Sequence, residues 1–251
     1  MTVYFIGAGP GAADLITVRG QRLLQRCQVC LYAGSIMPDD LLALCPAGAR
    51  IVDTGPLDLD QIIDELASAH AAGHDVARLH SGDPSLYSAV AEQCRRLDVL
   101  GIDYEIVPGV PAFAAAAAAL GRELTVPGVA QTVTLSRVAT LSTAMPPGED
   151  LEALSAPGST LVLHLAAAQI DDIVPRLIAG GYRPETPCAV VAFASWPQQQ
   201  VLRGTLGDIA GQMHTAEVTR TAVIVVGDVL AADEFTDSYL YSAARRRSGR
   251  H

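Results

Sequence analysis

The sequence predicts an α/β protein of two domains, the first built on a mainly parallel sheet and the second on a mixed one. Three observations carry this. Short β-branched runs alternate with segments of helical period through the first half of the chain, which is the pattern of βαβ units. A second set of strands and helices begins at Gln131, and two of its strands are joined only by a short polar link, Trp196 to Gln200, as in a hairpin. Of the 251 residues, 50% are hydrophobic and 18% charged, apolar material enough for one large domain or two small ones.

Taken in order, strands are expected near residues 3–6, 29–32, 51–52, 76–79 and 104–107, each a short run rich in Val, Ile or Tyr. Helices are expected near 18–26, 59–72, 89–100 and 111–120. Asp58 stands at an N-cap position and Gly73 where the second helix must stop. The second set comprises strands near 132–136, 160–164, 189–193, 201–204 and 222–226, with helices near 170–179 and 206–213. Residues 142–159 are rich in Pro, Gly and acid and read as an exposed connection. The boundary is expected near 121–128, giving a first domain over 1–121 and a second over 122–240. Five of the last nine residues are Arg or His, so 241–251 reads as a disordered basic tail.

A net charge of −10 argues against binding nucleic acid or an anionic membrane surface. An anionic small substrate would need several of the few arginines gathered locally. Met1 leads directly into a strand, and the longest apolar run, Ala112 to Leu120, is too short to cross a bilayer. Five cysteines at irregular spacings do not form a disulfide framework. The expectation is a soluble, cytoplasmic protein.

Three loops carry the candidate chemistry. After the first strand comes Gly7-Ala8-Gly9-Pro10-Gly11-Ala12, with Asp14 and Thr17 following. Gly7, Gly9 and Ala12 satisfy a dinucleotide fingerprint. In that fingerprint, however, the glycines open the helix and the second strand ends in an acid. Here Asp14 or Thr17 is the better N-cap, and the second strand ends Tyr32-Ala33-Gly34. A tight turn without a ligand is the plain alternative. The second loop, Ser81-Gly82-Asp83-Pro84, puts a carboxylate at the carboxyl edge of a parallel sheet, where α/β proteins bind ligands. Asp83 there is either a helix N-cap or a binding residue. The third, Pro108-Gly109-Val110-Pro111-Ala112, repeats the grammar of strand, sharp turn and small residues. Together they form a floor of little side-chain bulk, suited to a flat ring against backbone and poor in metal or nucleophilic side chains.

At these residues the chain resembles the tetrapyrrole methylase family, whose members use S-adenosylmethionine. The pattern G-x-G-P-G-x-x-x-L-I-T matches residues 7–17, R-x-x-x-G-D-P matches 78–84, and V-P-G-V matches 107–110, in order along the chain. Residues 31–35, 113–120 with 124–127, 131–137 and 194–197 resemble most the branch that methylates C11 of precorrin-4 to give precorrin-5 in cobalamin synthesis, and uroporphyrinogen-III methylases less.

The resemblance implies a homodimer, an active-site cleft between the two domains, and S-adenosyl-L-methionine bound there and released as S-adenosyl-L-homocysteine. Its cofactor contacts carry over onto Pro10, Ser81, Gly82, Asp83, Leu86, Pro111, Ala112, Leu165, Ala194, Thr221 and Ala222. The chain departs from relatives that have Gly where it has Ser88, Ala166 or Ala194, methyl groups that would narrow the pocket. No catalytic residue is assigned beyond Asp83 as an anchor or counter-charge for the sulfonium, and no metal is expected.

The tetrapyrrole carries several carboxylates, for which Arg122, Arg137 and Arg203 are candidates; each is otherwise a solvated surface arginine. Cys27 and Cys30 read as buried structural cysteines rather than a redox or zinc pair. His80 and His164 are strand-end histidines, and Trp196 belongs to a dimer core or a substrate wall. Competing readings are a methylase for another ring position or for cobalt-precorrin-4, a non-catalytic nucleotide-binding module, and a Rossmann-like dinucleotide-binding oxidoreductase.

Overall fold

Alternation of side chains along each strand decides what every layer buries. In the computed structural model, which describes residues 1–139 and 144–235, the elements run β1 (Val3–Gly7), α1 (Val18–Leu24), β2 (Val29–Tyr32), α2 (Asp39–Leu42), β3 (Arg50–Asp53), α3 (Leu59–Ala71), β4 (Val76–His80), α4 (Val90–Leu100), β5 (Tyr104–Val107) and α5 (Ala112–Leu120). They continue with β6 (Val133–Arg137), α6 (Leu151–Leu154), β7 (Thr160–His164), α7 (Ile170–Ala179), β8 (Pro187–Ala192), β9 (Gln200–Thr205), α8 (Ile209–Thr215) and β10 (Ala222–Val226).

The chain divides into two units. The first takes Met1–Ala115 together with Ser195–Pro197, and the second takes Ala116–Ala194 with the described residues from Gln198 onward. The first sheet has the order β3-β2-β4-β1-β5 with every pairing parallel. Val3, Phe5, Val29, Leu31 and Val76 point to one face and meet Ile63 and Leu66 of α3 and Cys94 and Leu97 of α4. Tyr4, Ile6, Cys30, Ala77 and Leu79 point to the other and meet Leu23, Leu24 and Leu41. Because both faces are covered, β1 and β4 are buried at every position.

The second sheet has the order β6-β7-β10-β8-β9, parallel between β6 and β7 and antiparallel elsewhere. It is mixed, as expected, and β8 and β9 form the expected hairpin. Leu161, Leu163, Val190 and Ile224 pack against Ile173 and Leu177 of α7 and Ile209 and Met213 of α8.

Local signals set the helix ends. The Thr17 hydroxyl accepts from the Gly20 amide and starts α1. Asp58 and Gln61 form a reciprocal capping box at the start of α3, and Gly73, at φ +74°, follows its end. Two short helices were not expected. The stretch 142–159, read as an exposed connection, contains α6, in which Leu151 is buried and Glu152 pairs with Arg176 of α7 through both carboxylate oxygens, at 2.7 and 2.9 Å. The Asp150 carboxylate caps this turn by accepting from the Ala153 amide. Like α2, it has four residues, too few to show a helical period. The basic tail, 241–251, lies outside the described residues.

Candidate functional site

β4, β1 and β5 are adjacent and parallel, so the loops that follow them leave the same edge of the first sheet. The loops are bonded to one another through backbone. The Ala8 amide donates to the His80 carbonyl at 2.8 Å, and Gly9 and Gly82 exchange two hydrogen bonds of 3.2 and 2.7 Å. A Cβ on Gly7 would lie 2.5 Å from the Gly109 backbone and 2.8 Å from the Gly82 carbonyl oxygen. Gly7 and Gly109 are therefore demanded by chain against chain. That is a reason internal to the fold, different from approach to a ligand.

Asp83 holds the second and third loops together. Its Oδ2 accepts from the Gly109 amide at 2.8 Å, while Oδ1 accepts from the Ser85 amide at 2.8 Å and from the Ser85 hydroxyl. Burial by itself would raise this carboxyl's pKa; the bonds from Ser85 and Gly109 outweigh it and hold the pKa below the usual carboxylate range. Of the two readings of Asp83, helix N-cap or binding residue, the first does not hold, because the N-cap of α4 is Ala89. Gly82 packs beside Pro111 and Ala112. The first unit thus gathers Pro10, Ser81, Gly82, Asp83, Leu86, Pro111 and Ala112 along one sheet edge.

The second unit gathers the rest. Leu165 follows β7, Phe193 and Ala194 follow β8, and Thr221 and Ala222 open β10, the strand between them. The Phe193 amide donates to the Thr221 carbonyl at 2.8 Å. Among the described residues seven non-glycine residues have positive φ, and six of them, Tyr87, Ala89, Leu165, Phe193, Ser195 and Thr221, lie in or beside these loops. A side chain in the left-handed region costs about 1–3 kcal/mol, and such strain concentrates where ligands are clamped. Leu165 is also 63% exposed, an apolar side chain held out in a strained conformation. Ala166 and Ala194, by contrast, are buried, and the Ser88 hydroxyl is bonded to the carbonyls of Asp83 and Leu86.

One contribution had no signal in the sequence. Ser195 and Trp196 belong to the first unit, where the Ser195 hydroxyl accepts from the Ala12 amide at 2.9 Å and the Trp196 indole N–H donates to the Pro10 carbonyl at 3.1 Å.

Arg78, of the R-x-x-x-G-D-P element, is 5% exposed; its Nε donates to Gln93 Oε1 at 3.2 Å and its Nη1 to the Thr54 hydroxyl at 3.0 Å. Burial pulls its pKa down to about 10. Burial, and then Arg78 itself, push the His80 imidazole down to about 3, so it is neutral, and it packs against Phe5. Burial also lowers His164. Cys27 and Cys30 are buried, and burial pushes the Cys27 thiol up to about 12. No group of three or more His, Cys, Asp or Glu among the described residues is arranged to hold a metal ion.

The candidate arginines are spoken for. Arg122 donates to the Ala232 carbonyl and to Asp233 at 3.0 and 2.7 Å, Arg203 to the Leu120 carbonyl at the end of α5, and Arg137 to the carbonyls of Val138 and Ala144. Arg137 and Arg203 lie on opposite edge strands of the second sheet, about 19 Å apart at ordinary strand spacing. Arg122 and Arg203 meet at the same end of α5.

Comparison with known proteins identifies the family. Residues 2–210 match the family model of tetrapyrrole (corrin/porphyrin) methylases. A precorrin-4 C(11)-methyltransferase of Mycobacterium tuberculosis is 82% identical over 98% of both chains. The solved structure of a cobalamin biosynthetic enzyme, cobalt precorrin-4 methyltransferase, is 38% identical with a TM-score of 0.88, covering 91% of this chain and 95% of its own. Uroporphyrin-III C-methyltransferase of Thermus thermophilus, solved with S-adenosyl homocysteine, is 28% identical with a TM-score of 0.78, covering 95% and 97%. With a family match over most of its length, this chain belongs to the tetrapyrrole methylases.

Proposed function

We propose that this protein transfers a methyl group from S-adenosyl-L-methionine to C11 of precorrin-4, giving precorrin-5 in cobalamin synthesis. The observation that carries the reading is the 82% identity to a precorrin-4 C(11)-methyltransferase over 98% of both chains. Relatives named for the cobalt-containing substrate are 43%, 40% and 38% identical, which favours the metal-free precorrin.

The donor fits the residues present. The loop edges of both units are lined by backbone and small side chains, with strained positions and an exposed Leu165 available to close on a ligand. Bound there, the donor supplies a sulfonium methyl that passes to the ring carbon, the S–C electron pair staying on sulfur as S-adenosyl-L-homocysteine and the methylated ring system giving up a proton to solvent. The chain's part is to align and to exclude water. The donor-contact residues in this reading are Pro10, Ser81, Gly82, Asp83, Leu86, Pro111, Ala112, Leu165, Ala194, Thr221 and Ala222. The ionised Asp83 fixes the loop pair and lends negative charge near a cation. Arg122, Arg137 and Arg203 receive substrate carboxylates, exchanging their present carbonyl and Asp233 partners for them. The reading includes a homodimer in the cytoplasm, a compartment in keeping with five free cysteines.

The test is incubation with carbon-13 methyl-labelled donor and a panel of purified precorrins with and without cobalt. One added methyl at C11 of precorrin-4 is expected; label at another carbon, or on the cobalt form alone, would move the assignment within the family.

A further inference from the structure

The tip of the first loop is held from far along the chain. Ala8 and Gly9 are bonded to the second loop, whereas the Pro10 carbonyl and the Ala12 amide find partners elsewhere. The Pro10 carbonyl is reached by the indole N–H of Trp196, and the Ala12 amide by the hydroxyl of Ser195, so both sides of the buried Gly11 are pinned. Proline has no N–H, so its carbonyl is the only backbone group through which Pro10 can be fixed. The indole N–H is a donor only and needs an acceptor when covered. Ser195 is held at φ +68°, a conformation that persists where the surroundings over-determine it.

We propose that Ser195 and Trp196 are positioning residues for the methyl donor: they seat the Pro10–Ala12 stretch in the shape that receives it. The proposal rests on the reading of Pro10 as a donor contact. A cross-link serving only the fold would leave the two substrates' kinetics affected alike, whereas this latch acts on one of them.

Three variants separate these outcomes. Trp196→Phe keeps a ring and removes the donor. Ser195→Gly removes the acceptor and relieves the left-handed backbone. Ser195→Asn restores an acceptor in a residue that tolerates that conformation. Trp196→Phe and Ser195→Gly are expected to raise the KM for S-adenosylmethionine and the Kd for S-adenosylhomocysteine about tenfold. The kcat at saturating donor and the KM for the tetrapyrrole should stay within about twofold, and Ser195→Asn should recover most of the loss. Unchanged donor affinity in both deletions overturns the latch, as does an equal rise in both KM values.

Should the variants fail to fold, the unmodified protein still decides. Trp196 is its only tryptophan, so saturating S-adenosylhomocysteine must shift or quench the intrinsic emission, and an unchanged spectrum overturns the proposal. Calorimetry on the same sample separates the two ideas. If the unmodified protein does not bind S-adenosylhomocysteine, the donor-site reading fails and the latch falls with it. If it binds and the variants bind equally, the latch alone fails.

Discussion

Asp83 Oδ2 accepts a hydrogen bond from the Gly109 amide at 2.8 Å, so one carboxylate sets the spacing between the second and third loops of the first sheet edge. Asp83→Ala leaves the Gly109 and Ser85 amides without that partner. The apo protein should lose about 1–3 kcal/mol in urea unfolding, and S-adenosylhomocysteine affinity should fall with it. Donor affinity equal to wild type, measured by calorimetry, would remove Asp83 from the site.

The same bond sets a pH dependence. Asp83's folded pKa lies below its usual value, so its stabilising effect is fully present above the unfolded pKa of about 3.9 and is lost as pH falls through the lower folded value. The stability gap between wild type and Asp83→Ala should be constant from about pH 5 upward and shrink below about pH 4. A gap that grows on acidification contradicts the assignment.

Two glycine substitutions should differ in severity for stated reasons. A Cβ on Gly109 would sit 2.7 Å from the Gly7 Cα and closer still to the Gly82 carbonyl oxygen, whereas a Cβ on Gly82 meets nothing nearer than 3.6 Å. Gly109→Ala forces backbone apart and should cost about 3 kcal/mol or more. Gly82→Ala carries only its φ of +69°, about 1–2 kcal/mol. Denaturant midpoints of the two variants compared with wild type check the order.

Leu165 should show a trade of stability against binding. Its side chain is 63% exposed at φ +53°, so Leu165→Gly relieves strain and gives up little packing. The apo protein should unfold at the same temperature or higher, while S-adenosylhomocysteine binds about tenfold more weakly for want of the apolar contact. A drop in apo stability with affinity intact would assign Leu165 to the fold instead.

The sequence was a good guide where physics is local. Strong periodicity and caps placed α3, α7, β2 and β5 to within a residue, and the Thr17 cap was visible from its position. α2 and α6 escaped because four residues carry no period. The three loops were legible as a sheet-edge cluster. What Gly7 and Gly109 are for was not, because their demand comes from backbone that is distant in sequence. Left-handed Leu165, Phe193 and Thr221 could not be read from residue type, since tertiary context imposes that conformation on side chains that disfavour it. The Trp196–Pro10 bond spans 186 positions and leaves no local trace.

We propose that these strained, backbone-lined loops take a sulfonium methyl donor and not a pyridine dinucleotide. Thermal unfolding with each ligand tests it directly. S-adenosylhomocysteine at about a hundred times its Kd should add about 2.7 kcal/mol and raise the Tm by several degrees, with NAD(H) leaving it unchanged. Stabilisation by NAD(H) without any by S-adenosylhomocysteine would contradict the account.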